Sequence, residues 1–259
     1  MRFALGLEYD GAAYAGWQHQ GHARTVQQVV EAAISSVAAE PIKVVAAGRT
    51  DAGVHATHQV VHFDSAASRR DRGWVLGANR NLPRDVAALW IVPVAAAFDA
   101  RRSALRRSYR YLIVNRPQRS ALAAGRATWV HAPLDAGTMH DAAQALVGEH
   151  DFSAFRAAAC EAPSARRRVE RIAVVRRGDL LTVDVTANAF LHHMVRNIVG
   201  SLLAIGRGER AVGWLGELLR ARRRAAAGAT APAGGLYLVD VEYPAEHGLP
   251  RGRLPEVPV

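Results

Sequence analysis

The chain has 259 residues, half of them apolar, and a formal net charge of +10, which together exclude an intrinsically disordered protein and allow a large core. Cys160 is the only cysteine, so an intrachain disulfide is excluded. No apolar run is long enough to span a bilayer and no signal-peptide core precedes Glu8, which predicts a cytoplasmic protein with no membrane segment.

The first hundred residues predict an α/β unit. Apolar residues alternate over 3–9, as in a half-buried strand. Thr25 is a candidate N-cap for a helix whose apolar residues recur at helical spacing from Val26 to Val37. The runs IKVVAAG and HQVVHF predict strands on either side of a polar loop at 48–53, and the segment from Leu76 to Arg84 contains the turn-like NLPRD, which the apolar run ALWIVPV follows.

The remaining residues predict a second α/β unit. In chain order we expect a strand at SYRYLIVNR, a helix over 135–147, a hairpin formed by 169–176 and 180–186, helices over 190–205 and at WLGELLRARRR, and a last strand at GLYLVDVEY. The division expected from this pattern is an N-terminal subdomain over 1–105, a basic C-terminal subdomain over 106–243 and a proline-rich tail over 244–259.

The positive charge is concentrated in the second part of the chain. Residues 1–100 hold 9 basic and 9 acidic residues, whereas the other 159 hold 24 and 14. Such asymmetry favours a polyanionic partner, most commonly a nucleic acid. The triplets Arg166-Arg167-Arg168 and Arg222-Arg223-Arg224 are candidate phosphate contacts, and the sequence does not decide between them.

The familiar cofactor and metal motifs are missing from the sequence. It contains neither the phosphate-binding motif G-x-x-x-x-G-K-[ST] nor the nucleophile motif G-x-S-x-G. His55, His58 and His62 lie close together, but their spacing suits no helical face and no cysteine or carboxylate pair joins them. We therefore expect no metal and no cofactor.

Asp51, in the loop GRTDAGVHA, is the candidate reactive carboxylate. By itself the loop favours an ordinary turn, in which Asp and Gly serve the backbone. An ionised carboxylate in a reactive site is stabilised by a guanidinium, and Arg49 and Arg196 are the candidates for that role. Arg196, however, at the edge of an apolar helix stripe, also fits a solvent-directed side chain. Tyr109 projects to one face of a strand, where its ring could stack on a base or belong to the core.

These segments together resemble one family. YDGAAYAGWQ, GRTDAGVHA, SYRYLIVNR, FSAFRAAAC, FLHHMVRNIVGSLLAIGRG and APAGGLYLVDVEY occur in the order found in the TruA-type tRNA pseudouridine synthases, and the resemblance extends from Arg2 to about Tyr243. It implies an α/β (α+β) fold of two subdomains, with antiparallel sheets flanked by helices and the aspartate in a cleft. It also implies a homodimer that binds tRNA and isomerises uridines 38, 39 and 40 of the anticodon stem-loop without a cofactor.

The resemblance also implies roles for four side chains. Asp51 corresponds to the catalytic nucleophile, Arg49 to a residue that flips or holds the target nucleotide, Tyr109 to the ring that stacks on the uracil, and Arg196 to the arginine that pairs with the catalytic carboxylate. The first covalent step stays open between attack on C1′, addition at C6 and a glycal route. The sequence departs from the family pattern F-H-A-R at Asp99, which could alter local RNA contacts.

Two other functions remain as alternatives. A non-catalytic tRNA-binding protein or chaperone needs basic patches and aromatic rings but no particular aspartate. A pseudouridine synthase with other tRNA target positions would share the same motifs.

Overall fold

The computed structural model describes residues 1–252, so residues 253–259 of the expected tail lie outside the described residues. In chain order the elements are β1 (Arg2–Tyr9), α1 (Val26–Ala38), β2 (Val45–Ala46), β3 (His55–Asp64), α2 (Asp71–Asn81), β4 (Val86–Val94), β5 (Arg106–Asn115), β6 (Thr128–Val130), α3 (Ala136–Ala143), β7 (Gly148–Asp151), β8 (Arg166–Arg177), β9 (Leu180–Ala187), α4 (Met194–Gly206), α5 (Trp214–Ala221) and β10 (Leu236–Glu242). The fold is mixed α/β, as expected.

The contacts of the chain divide it into two units. Unit 1 comprises Met1–Arg107 and the described residues from Tyr237 onward, and unit 2 comprises Ser108–Leu236. Almost all of β10 therefore belongs to unit 1, whereas the sequence led us to expect it in a subdomain over 106–243. The difference arises from strand pairing, because Tyr237 pairs in parallel with His55 of β3.

The sheet of unit 1 has the strand order β4-β1-β3-β10, with β2 paired to β3. Strand β1 runs antiparallel to both β3 and β4, and β10 runs parallel to β3. Aromatic rings fill the core beside β1: the centroids of Phe3 and Phe63 are 5.6 Å apart, and those of Phe3 and Trp74 are 5.5 Å apart. The expected strand at IKVVAAG is reduced to the two residues of β2.

One of the two helices of unit 1 confirms a prediction, and the other was not predicted. The backbone N and the hydroxyl of Thr25 both donate to Oε1 of Gln28, which caps α1 as expected. Helix α2 was not predicted; it ends at Asn81, where the turn expected at NLPRD begins. That helix buries only Trp74 and Ala78, so its sequence lacks a clear apolar stripe.

The sheet of unit 2 has the strand order β5-β9-β8-β7, with β6 parallel to β5. Strands β8 and β9 form the predicted hairpin, and Gly178 in its turn has a φ of 58°. Helix α3 packs against both β8 and α4. It ends earlier than the predicted 135–147, and a 3₁₀ turn over Gln144–Leu146 follows it.

Helices α4 and α5 are both shorter than predicted. We expected the first over 190–205, but it begins at Met194 because His193 has a φ of 61° and the carbonyl of His192 accepts a hydrogen bond from Ala157. The second ends at Ala221, since Arg222 adopts the left-handed conformation. In the part of the chain that the structure describes, no helix is long and apolar enough to cross a membrane.

Candidate active site

The loop that carries Asp51 is held by the backbone of a second loop in unit 1. Trp17 N donates to the carbonyl of Thr50 at 2.9 Å, and Gly53 N donates to the carbonyl of Tyr14 at 3.2 Å. Within the loop, Val54 N donates to the carbonyl of Asp51 at 3.1 Å. The two sequence motifs YDGAAYAGWQ and GRTDAGVHA therefore form one packed structure.

Buried side chains anchor the same loop from the sheet. The hydroxyls of Tyr9 and Thr50 are hydrogen-bonded at 2.8 Å, and Nε2 of Gln59 donates to the carbonyl of Gly48 at 2.7 Å. Burial raises the pKa of Tyr9 to about 12, so its phenol stays neutral and able to donate. The backbone that presents Asp51 is thus fixed on both sides of that residue.

Two glycines permit this close packing. A Cβ on Gly11 would lie 1.9 Å from the carbonyl oxygen of Val54, and a Cβ on Gly16 would lie 2.8 Å from that of Thr50. Gly16 also has a φ of 91°, a conformation that strains any residue with a side chain. These positions need glycine because the backbone of the first loop directly contacts that of the second.

We expect Gly16→Ala to lower the free energy of unfolding by about 1–3 kcal/mol, because the methyl group adds strain and forces Thr50 to move. It should also lower the turnover number, since Asp51 follows Thr50 directly. The matched control is Gly21→Ala, where a Cβ would meet nothing within 4 Å. Denaturant melts and activity of both variants check this, and equal behaviour of the two would contradict it.

The two charged side chains of the loop differ in exposure. Asp51 is half-buried, whereas Arg49 is exposed to solvent. Both belong to unit 1, while Tyr109 and Arg196 belong to unit 2. An exposed guanidinium next to a partly buried carboxylate suits an electrostatic contact with a polyanion.

Tyr109 and Tyr111 face the same side of β5 but have different surroundings. The Tyr109 ring is buried and meets Phe190 edge-on, with centroids 4.9 Å apart. Tyr111 is fully buried, and its hydroxyl donates to the carbonyl of Pro232 at 2.8 Å. Burial raises the pKa of Tyr111 to about 12. Both rings are therefore buried, and Tyr111 is the more deeply buried of the two, with a hydroxyl that anchors a loop.

Arg196 is half-buried in the first turns of α4. Its Nε donates to the carbonyl of Ala231 at 2.8 Å, and Ala231 N donates back to the carbonyl of Arg196 at 3.1 Å. Its charge also acts on the phenol of Tyr111, lowering the pKa of that group against the larger effect of burial. The side chain of Arg196 is therefore fixed by a hydrogen bond within unit 2. It does not extend freely into solvent, which was the alternative that the sequence also allowed.

The basic triplets contain residues of unequal exposure. Arg223 is exposed, whereas Arg224 is half-buried and its guanidinium donates to Asn197 and Thr230. Arg167 is likewise half-buried and bonds to the carbonyl of Ser164. The sequence did not reveal the structural role of Arg224, because nothing in a run of three arginines indicates which of them is half-buried and which are exposed.

Two of the three histidines first weighed as metal ligands accept hydrogen bonds from the backbone. Gly11 N donates to Nδ1 of His55, and Ala100 N donates to Nδ1 of His62, each at 3.0 Å. Burial lowers the pKa of His62, which favours the neutral ring that such acceptance requires.

Asp99, where the family pattern has histidine, caps a turn. Its Oδ1 accepts hydrogen bonds from the backbone N of Arg101 at 2.9 Å and of Arg102 at 2.8 Å. Burial acts to raise the pKa of Asp99, but these N–H groups outweigh it and lower the pKa. The carboxylate therefore has a local structural role at this position.

Comparison with known proteins identifies relatives over nearly the whole chain. The family model described as tRNA pseudouridine synthase matches residues 7–101 and 142–244. The tRNA pseudouridine synthase A of Nitrosococcus oceani is 56% identical over 251 residues, which cover 97% of both chains. That of Hydrogenovibrio crunogenus is 53% identical over 254 residues, covering 98% of this chain and 97% of the relative. That of Methylococcus capsulatus is 55% identical over 251 residues, covering 97% and 93%.

Proposed function

This chain belongs to the tRNA pseudouridine synthase family, and on that basis we propose that it converts uridines 38, 39 and 40 of the tRNA anticodon stem-loop to pseudouridine, with Asp51 as the catalytic residue. The observation that carries the proposal is the loop GRTDAGVHA, which presents a half-buried carboxylate on a backbone fixed from both sides. The excess of arginine in the second part of the chain supports a polyanionic substrate.

The reaction is an isomerisation whose atoms balance without a cofactor. The bond between N1 of the uracil and C1′ of the ribose breaks, the base turns, and a new bond joins C5 to C1′. The hydrogen on C5 leaves as a proton and N1 takes one up, so no oxidant or reductant is consumed. Because the uridine must leave its stack, contacts to the RNA have to offset a cost of a few kcal/mol.

We assign Asp51 the role of nucleophile or base and Arg196 that of the cation that pairs with the carboxylate. Arg49, which is exposed and lies two residues before Asp51, is assigned to the flipped nucleotide or its phosphate. These roles follow from the family resemblance and are supported by the half-burial of Arg196 and its bond to Ala231.

Release of tritium from tRNA labelled at uracil C5 tests the function directly. The protein, without added metal or cofactor, should release tritium from a transcript with uridines at 38, 39 and 40, and not from one in which all three are cytidines. Release from both transcripts would indicate a synthase with other target positions. Release from neither would overturn the proposed function.

We expect Tyr109→Leu to lower kcat by roughly 10-fold or more and Tyr109→Phe to stay within about threefold of the wild type. A phenyl ring preserves stacking on the uracil, worth about 1–3 kcal/mol per base, and also preserves the edge-on contact with Phe190. The tritium-release assay measures both. A large loss in Tyr109→Phe would instead indicate that the phenol takes part in removing the C5 proton.

We further propose that the protein acts as a homodimer in the cytoplasm, a state implied by the family resemblance. Sedimentation equilibrium at micromolar concentration should give twice the chain mass of 27.9 kDa. A monomeric mass with full activity would contradict the dimer.

A further inference from the structure

The side chain of Arg196 is hydrogen-bonded to a loop in unit 2. We call residues 227–232, which lie between a 3₁₀ turn and the turn preceding β10, the connecting loop. Arg196 Nε donates to the carbonyl of Ala231 in this loop at 2.8 Å, and Ala231 N donates to the carbonyl of Arg196 at 3.1 Å. A displacement of the loop would therefore displace the guanidinium.

Asn197, the next residue of α4, joins this loop to a distant segment. It is fully buried, and its Nδ2 donates to the carbonyl of Phe155 at 2.7 Å. Its Oδ1 accepts from the hydroxyl of Thr230 at 2.7 Å and from Nη2 of Arg224 at 3.0 Å. A buried amide with donor and acceptor both engaged has one orientation, so it fixes the three segments relative to one another.

Arg224 bonds to the connecting loop at several points. Its Nη2 donates to the hydroxyl of Thr230 at 3.0 Å as well as to Asn197, and its Nη1 donates to the carbonyl of Gly228 at 3.0 Å. The guanidinium is therefore engaged within unit 2. A phosphate-binding arginine would instead present its donors to solvent.

The loop has no room to shift towards the helix. A Cβ on Gly200 of α4 would lie 1.7 Å from the carbonyl oxygen of Ala229. Gly228 N donates to the hydroxyl of the fully buried Ser201 at 3.1 Å. The backbone of α4 therefore contacts the connecting loop directly at Gly228 and Ala229. The position of the rest of the loop depends on the side-chain hydrogen bonds of Arg224 and Asn197.

We propose that Arg224 and Asn197 are positioning residues for the reaction, which hold the connecting loop so that Ala231 orients the guanidinium of Arg196. The proposal rests on the role assigned to Arg196 under the proposed function. It assigns Arg224 a different role from its exposed neighbour Arg223, although the sequence presents both in one basic run.

Arg224→Gln is expected to lower kcat roughly 10- to 100-fold with little change in KM, because loss of orientation acts on the reacting groups and not on tRNA affinity. The slope of tRNA affinity against salt should stay as in the wild type. The matched control is Arg220→Gln, an equal loss of charge at an exposed position of α5, which should leave kcat unchanged.

A double-mutant cycle separates positioning from a general loss of stability. If Arg224 acts through Arg196, then Arg224→Gln should cost almost nothing further in kcat when added to Arg196→Lys. Additive losses, or a flatter salt dependence with kcat unchanged, would overturn the proposal. Should Arg224→Gln fail to fold in a thermal melt, Thr230→Val is the second test: at similar volume it removes the hydroxyl that bonds to both Arg224 and Asn197, and it is expected to lower kcat likewise.

Failure of the positioning role can be distinguished from failure of the proposed function. A wild-type protein that releases no tritium overturns the function itself, whereas an active wild type with an equally active Arg224→Gln overturns only the positioning role. If Arg196→Lys retains the wild-type kcat, the role of Arg196 fails and the positioning role fails with it.

Discussion

Asp51→Asn is expected to reduce tritium release by at least about 10³-fold while tRNA affinity stays within about twofold of the wild type. The amide has nearly the shape of the carboxylate but is neither a nucleophile nor a base. The loop should persist, because its anchors are Trp17 N on the Thr50 carbonyl and Gly53 N on the Tyr14 carbonyl, and neither involves the replaced group.

The appropriate control is Asp64→Asn, which removes a carboxylate of unit 1 that is 63% exposed and paired with Arg2. It should leave kcat unchanged, since a surface ion pair contributes little. Activity of Asp51→Asn close to that of the wild type would remove Asp51 from the mechanism. Tight tRNA binding by wild type and variant with no release from either would favour a non-catalytic tRNA-binding protein.

Arg196→Lys is the substitution with the second large expected effect. We expect kcat to fall on the order of 10²-fold, which corresponds to about 3 kcal/mol of activation free energy, with a small change in KM. Lysine keeps the positive charge, but all its N–H donors are on one nitrogen, whereas the donors of arginine are spread over the three nitrogens of a planar guanidinium. In the wild type Nε donates to the carbonyl of Ala231, so the connecting loop already holds one edge of the planar guanidinium. In an ammonium group, the bond to the connecting loop and the role assigned to Arg196 under the proposed function would compete for a single nitrogen.

Arg207→Lys provides the matched control for this substitution. Arg207 follows the end of the same helix, is exposed, and donates to Glu209 with an Nε–Oε1 distance of 2.6 Å. Its replacement should leave kcat as in the wild type. Steady-state kinetics of both variants on one tRNA transcript decide the matter: equal kcat values for Arg196→Lys and Arg207→Lys would contradict the role assigned to Arg196.

Local features of the sequence determined the elements whose signals lie within a few residues. Alternating apolar residues were enough for β1, the hairpin of β8 and β9 followed from two strand patterns around Gly178, and Thr25 was recognised as a helix cap. Helix α2 was missed because it buries only Trp74 and Ala78, too few for a stripe. The candidate carboxylate was identified from an ordered set of motifs, since the loop by itself also fits an ordinary turn.

Only the tertiary structure determined which polar residues act together. Nothing local distinguishes Arg224 from Arg223, yet one donates to Asn197, 27 residues earlier in the chain, while the other is exposed. Gly16 is a second example, because one of its two reasons to be glycine is the close approach of the Thr50 carbonyl, which lies 34 residues further along the chain. The sequence by itself determined the residue types and the local turns. Contacts between distant segments determined orientation, because a buried hydrogen-bonding group is fixed by whichever partner the fold brings within about 3 Å.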